Sequence, residues 1–244
     1  MTELARRIIE EEADVLPKLR YIQRAVAYAK NAVALEDANE LRLLMLEPDT
    51  AKYFAGSTIS VHDGSYRSAA AKNAETQLND LMSYVAASGL VFAHSFLESV
   101  LETLLQMTRL CDITPWLSFI GNKDVSISAI VKDGLEPVIE TKLNKFIASL
   151  PKEGLLDKVD YLAKILKCSI SKSGVVDYTY DSARLKRIDT LRHDLSHHRK
   201  KDYRIETAKA DITYVYRTAL HFLDLVVHYY DLYGAQRPKS PMQI

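Results

Sequence analysis

The sequence predicts an all-α protein, and two observations carry that expectation. Glycine is scarce, eight in 244 residues, and the apolar–polar alternation that marks a half-buried strand is nearly absent. Apolar residues instead recur every three or four positions along most of the chain, which gathers them on one face of a helix.

Taken in order, residues 2–16 read as a short charged helix. Pro17, suited to a first turn, opens a second helix reaching about Met45, with Leu19, Ile22, Val26, Ala29, Val33 and Leu43 to Leu46 on its buried side. Pro48 closes it. Residues 48–65, with Gly56 and Asp63-Gly64, read as a loop, and His62 there as a surface histidine. Residues 66–109 form one long helix, or two interrupted near Ser88-Gly89. The second half is apolar around most of its circumference, leaving a thin stripe of His94, Glu98, Glu102 and Gln106 at successive i, i+4 steps. That stripe is either a solvent-facing seam or a face turned toward a cleft, with Glu98 or Glu102 orienting a reacting group. Residues 111–134 read as a connector, followed by helices at about 135–149 and 154–168 and a loop at 169–179. A helix from about Tyr180 to Lys200 follows. The last helix, roughly 204–233, has Ile205, Ala208, Ile212, Val215, Ala219, Phe222, Val226 and Tyr229 inside, and His221, Asp224 and His228 on a face read as solvated. The tail from 234 to 244 is interrupted by prolines.

With 32 basic and 32 acidic side chains, the chain is not a general polyanion binder, so any nucleic-acid contact must be local. The dense basic cluster runs from Arg184 to Arg204. Cys111 and Cys168 stand alone in sequence, which suits a reducing cytoplasm rather than a disulfide framework. No secretory leader is recognised at the N-terminus, and no apolar run approaches the roughly 20 residues that span a bilayer, so no membrane partner is expected.

The chemistry concentrates in Arg187–Lys201, which holds three of the seven histidines. Leu185, Ile188, Leu191 and Leu195 make an apolar stripe, and beside it Arg192, His193, Ser196 and His197 share a polar arc of roughly 140°. His193 and His197 have metal-ligand spacing, and His94 or Glu98 could complete a site. However, Asp194 stands where a zincin helix needs Glu, and no Glu-x-x-His pair recurs as a di-iron bundle requires. Phosphate loops, dinucleotide fingerprints and nucleophile elbows are absent, so neither metal nor cofactor is expected. What remains is a permanent cation and an imidazole held side by side, a combination suited to an anionic substrate and proton transfer.

Arg192-His193-Asp194-Leu195-Ser196-His197 resembles the defining Arg-polar-x-x-x-His motif of the HEPN superfamily, with His193 where those proteins most often carry Asn. Ala93-His94-Ser95-Phe96-Leu97-Glu98-Ser99 is similar to the upstream helix of prokaryotic defence members, the RiboL-PSP and MAE-type groups. The resemblance covers roughly residues 75–233 and leaves out residues 1–65 and an insert near 111–178. It implies an up-down helical bundle at 66–233, while the N-terminal helical hairpin and loop at 1–65, the insert and the tail at 234–244 are read from the residues themselves. It also implies a homodimer, metal-independent RNA cleavage, and a toxin or antiphage role with a possible cognate antitoxin or nucleotidyltransferase. In that frame His197 is general base or acid, Arg192 stabilises the phosphate, and His193, Ser196 and Glu98 support them. Arg199, Lys200, Lys201 and Arg204 hold the RNA backbone, or else form a solvated helix end suited to the dipole. His198 is structural. The alternatives are a non-catalytic module that binds RNA or nucleotide, and a metal-binding bundle using His193 and His197.

Overall fold

The computed structural model describes residues 2–34, 64–119, 130–132, 134–167, 178–198 and 203–232. Their architecture is all-α, with no β-strand among them. The helices are α1 (Thr2–Ala34), α2 (Gly64–Cys111), α3 (Leu135–Ser149), α4 (Leu155–Leu166), α5 (Ser182–His198) and α6 (Ile205–Tyr229). A 3₁₀ segment, Thr114–Phe119, follows α2. Most of the 48–65 loop, with His62, lies outside the described residues, as does the tail from 233 onward.

One expectation about a helix end is corrected. Helix α1 runs through Pro17 rather than restarting there. Proline removes one ladder hydrogen bond and crowds the carbonyl four residues back. Here it is exposed, so water can serve the freed Ala13 carbonyl, while Ile8 before it and Leu19 and Val26 after it are buried. For α2 the structure decides between the two readings left open: it is one long helix that continues through Ser88-Gly89. Gly89 is a point of close approach: a Cβ there would sit 3.2 Å from Ile212 Cδ1, with Leu19 next nearest. The glycine's helix-propensity cost of about 1 kcal/mol relative to alanine is accepted in exchange for that contact. Gly134 has a different reason. It caps α3 at a φ of 85°, which side chains other than glycine's rarely adopt.

The chain divides into two compact units. The first comprises Met1–Glu11, Phe92–Leu191 and Tyr214–Ile244. Its core takes Leu97, Leu101, Leu104 and Leu105 from α2, Leu185 and Ile188 from α5, and Val215, Ala219, Phe222 and Val226 from α6, all buried. At roughly 1.5–3 kcal/mol for each large side chain withdrawn from water, these stripes dominate the stability of the unit. Helix α4 adds Leu155, Val159, Leu162 and Ile165. An aromatic cluster joins the 3₁₀ segment to α3 and α4. Trp116 meets Phe119 and Phe146 edge-on at 5.9 and 6.0 Å, Phe119 stacks on Phe146 at 5.2 Å, and Tyr161 closes the group.

The second unit comprises Glu12–Val91 and Arg192–Thr213. Leu19 and Val26 of α1, Leu78, Ala86 and Leu90 of α2, Leu195 of α5 and Ile205, Ala208 and Ile212 of α6 are buried. Gln23 joins α1 to α6 by donating to Glu206 at 2.8 Å and accepting from Lys209. The Tyr203 hydroxyl donates to buried Asp211 at 3.1 Å.

Within α2, the part from Glu75 to Cys111 contains an 18-residue window apolar enough to cross a membrane, with mean hydropathy 1.3. This corrects the expectation that no apolar stretch is long enough to span a bilayer: His94, Glu98 and Glu102 interrupt the apolar residues without lowering the mean below that level. Leu90, Ala93, Leu97, Leu101, Leu104 and Leu105 are buried against protein, while Phe92 and Leu110 are exposed, and 44% of the window is buried in all.

The inner stripe of α6 is as expected from Ile205 to Val226, while Tyr229 is exposed. Its opposite face is not uniformly solvated: His221 is buried, its ring 5.2 Å from Tyr178 and stacked within 7° of parallel on Tyr180. The tyrosines that cover it arrive from the segment before α5, beyond the reach of a helical-wheel argument. Asp224, one turn on, is half-buried, and this desolvation pushes its carboxyl above the ordinary range against the pull of His228 and His221. A carboxyl whose folded pKa is raised lowers stability once ionised. That cost is absent below the unfolded value and develops as pH rises through the folded one. Asp224→Asn should therefore melt higher than wild type at pH 7, and the advantage should shrink as pH falls toward about 4. Thermal melts across that interval check it, and an advantage that grows on acidification counts against the assignment.

Candidate functional site on helix α5

The whole Arg192–His197 motif is helical, inside α5. Asp181 starts the helix: its side chain accepts from the Arg184 N–H at 3.1 Å, one of the amides a helix start leaves open. The backbone of Asp181 is fixed in turn by Tyr214, whose hydroxyl donates to the Asp181 carbonyl at 2.6 Å and accepts from its N–H at 3.1 Å. Arg184 lies over the Tyr214 ring at 4.5 Å. Leu185, Ile188 and Leu195 are buried and Leu191 partly so, the stripe read from the sequence.

The motif's side chains differ in setting. Arg192 is half-buried, with its Nε shielded from solvent, so the cation has little freedom. His193 and Ser196 are exposed. The Ser196 hydroxyl donates back to the Arg192 carbonyl at 2.9 Å, so its proton is used inside the helix and only its lone pairs face outward. The side chain of His197, and Arg199, Lys200 and Lys201 altogether, lie outside the described residues, as does the side chain of His198. Arg204 is exposed just before α6.

Glu98 stands one turn from His94 on α2. His94, fully buried on α2, places Nε2 2.8 Å from Asp189 Oδ1 of α5, and its Nδ1 lies 3.8 Å from Glu98 Oε2. The i, i+4 stripe is thus neither a continuous seam nor one cleft face. His94 reaches α5, while Glu102 takes a 2.7 Å bond from Lys158, which is buried on α4. Only Gln106 is simply exposed. Asp189 was missed because it lies 95 residues from His94. Its one signal was an acid in the middle of a basic helix. Removing it with Asp189→Ala leaves a buried imidazole nitrogen without its acceptor, which should cost about 1–3 kcal/mol. Denaturant melts read this directly, and an unchanged midpoint would show that the pair contributes nothing.

Among the described residues no group of three or more His, Cys, Asp or Glu side chains is placed to hold a metal ion. Comparison with family models, curated proteins and solved structures finds no match to this chain.

Proposed function

We propose that the chain is a metal-independent endoribonuclease of the HEPN type, acting as a cytoplasmic homodimer in toxin or antiphage defence. The observation that carries the reading is Arg192 and His197 on one helix, five residues apart, with the arginine half-buried and a basic run following. Five helical residues turn the second side chain about 140° from the first. Two copies of the motif facing each other would let one phosphate meet a cation and an imidazole together.

The chemistry needs no cofactor. His197 takes the proton of a ribose 2′-hydroxyl. The freed oxygen attacks the adjacent phosphorus, and the bond to the 5′-oxygen breaks, leaving a cyclic phosphate and a 5′-hydroxyl once that oxygen is protonated. Arg192 neutralises charge growing on the nonbridging oxygens. His193 stands exposed beside them as support. Ser196, with its hydroxyl proton engaged, acts only as an acceptor. Arg204 and the basic run from Arg199 hold the backbone. Glu98, beside the buried His94, keeps its place as a supporting residue. A cognate antitoxin or nucleotidyltransferase would act on this centre from outside the chain.

The test is RNA cleavage by purified protein in EDTA, beside Arg192→Ala and His197→Ala. Each substitution should reduce the rate at least about 100-fold, and the product should carry a cyclic phosphate. Cleavage indifferent to His197→Ala rejects the assignment. No cleavage from folded protein on several RNAs favours the non-catalytic binding module.

A further inference from the structure

We infer that the exposed face of α1 between Arg20 and Tyr28 binds single-stranded RNA, with guanidinium groups on the phosphates and phenol rings stacked on bases. Residues 15–34 contain four cations, Lys18, Arg20, Arg24 and Lys30, and no acid. The structure sorts them. Lys18 pairs with Asp14 and Lys30 donates to Asn79, while Arg20 and Arg24 point to solvent. Tyr21 and Tyr28 are 75% and 77% exposed, although Leu19 and Val26 of the same helix are buried in their own unit. At about 100° per residue, Arg20, Arg24, Tyr28 and Tyr21 fall within one arc of about 100°. A shallow depression of ≈ 390 Å³ adjoins them, lined by Pro17, Lys18, Tyr21 and Ile22.

Two large rings held in water beside two unpaired-in-sign cations fit one class of partner best. With Asp14 engaged by Lys18 and Glu206 by Gln23, Arg20 and Arg24 leave an excess of positive charge that selects a polyanion. Rings add affinity only where bases are free to stack, which favours a single strand over a duplex. Tyr21 and Tyr28 are about 10 Å apart along the axis, roughly the rise of three stacked nucleotides. A second copy is the weaker occupant, because a two-fold contact on this face would set arginine against arginine. A lipid surface is weaker too, since the aliphatic residues that would insert are turned into the core. The choice of RNA over DNA rests on the function proposed above; the face itself does not.

The probe is a fluorescent 2′-O-methyl oligonucleotide of about a dozen nucleotides, which lacks the attacking hydroxyl and so separates binding from cleavage. Binding by the full chain is followed by anisotropy against salt. Tyr21→Leu/Tyr28→Leu should weaken it on the order of 100-fold with the salt slope kept. Arg20→Gln/Arg24→Gln should flatten that slope by about 1.4, two single-strand phosphate contacts. All four positions are exposed, and circular dichroism melts verify that the variants fold. Affinity unchanged in both double variants overturns the inference, as does tighter binding of a duplex. Self-association, or binding to anionic vesicles, that falls in the tyrosine variant while oligonucleotide binding does not also overturns it. Binding that survives Arg192→Ala and His197→Ala while falling in the α1 variants supports this face even if no cleavage is ever seen.

Discussion

Glu102→Ala will destabilise the protein by about 3 kcal/mol, because it leaves the Lys158 ammonium buried with no anion beside it. Lys158 is 1% exposed on α4, and its Nζ donates to Glu102 at 2.7 Å. A charge withdrawn from water tolerates its position only while a counter-charge faces it. Truncating the acid removes the compensation without restoring the water. Glu102 is itself a quarter exposed, which keeps the loss at the lower end of the range for broken buried pairs. For a chain of this length the melting midpoint should fall by roughly 6–12 °C. Replacing both partners, as Glu102→Leu/Lys158→Met, should recover most of the loss, since the interior then holds no uncompensated charge. A Glu102→Ala midpoint within a degree of wild type would mean that water reaches the ammonium.

Trp116→Ala should cost about 3–5 kcal/mol. The indole is fully buried, edge-on against the stacked pair Phe119 and Phe146, and its Nε1–H donates to Thr108 Oγ1 at 3.2 Å. Its removal opens a cavity the size of two rings in a cluster whose other members are also rigid, so collapse around the gap is limited. It also frees the Thr108 hydroxyl of one partner, though that group keeps its 2.7 Å donation to the Leu105 carbonyl. The damage should be local as well as global. Amide exchange in α3 and α4 should accelerate more than in α1, and uniform acceleration would contradict the placement of the cluster.

Single-helix patterns were legible in the sequence wherever apolar spacing decided the outcome. The stripe from Ile205 to Val226 and the span of α3 belong here, because every turn repeats the same signal. Pro17 misled as a local breaker and Gly89 left the reading open, since burial on either side of each outweighs its roughly 1–3 kcal/mol penalty. Polar residues were harder. His94, Glu102 and His221 look like surface groups on a helical wheel, and what engages them comes from partners 40 to 95 residues away. Such pairings leave no periodic trace. The Arg192–His197 helix was legible as a helix, but not the commitment of the Ser196 proton to its own backbone, nor the half-burial of Arg192.

The position of Trp116, the chain's one tryptophan, has an experimental consequence. It sits in the unit built from Phe92–Leu191, Met1–Glu11 and Tyr214–Ile244, and none lies in the other. Indole emission excited at the red edge therefore monitors the melting of one unit and is silent on its neighbour, whereas far-ultraviolet dichroism sums over both. The wild-type chain carries an internal reporter of cooperativity: superimposable curves mean that the units unfold as one, and separated curves mean that each has a stability of its own.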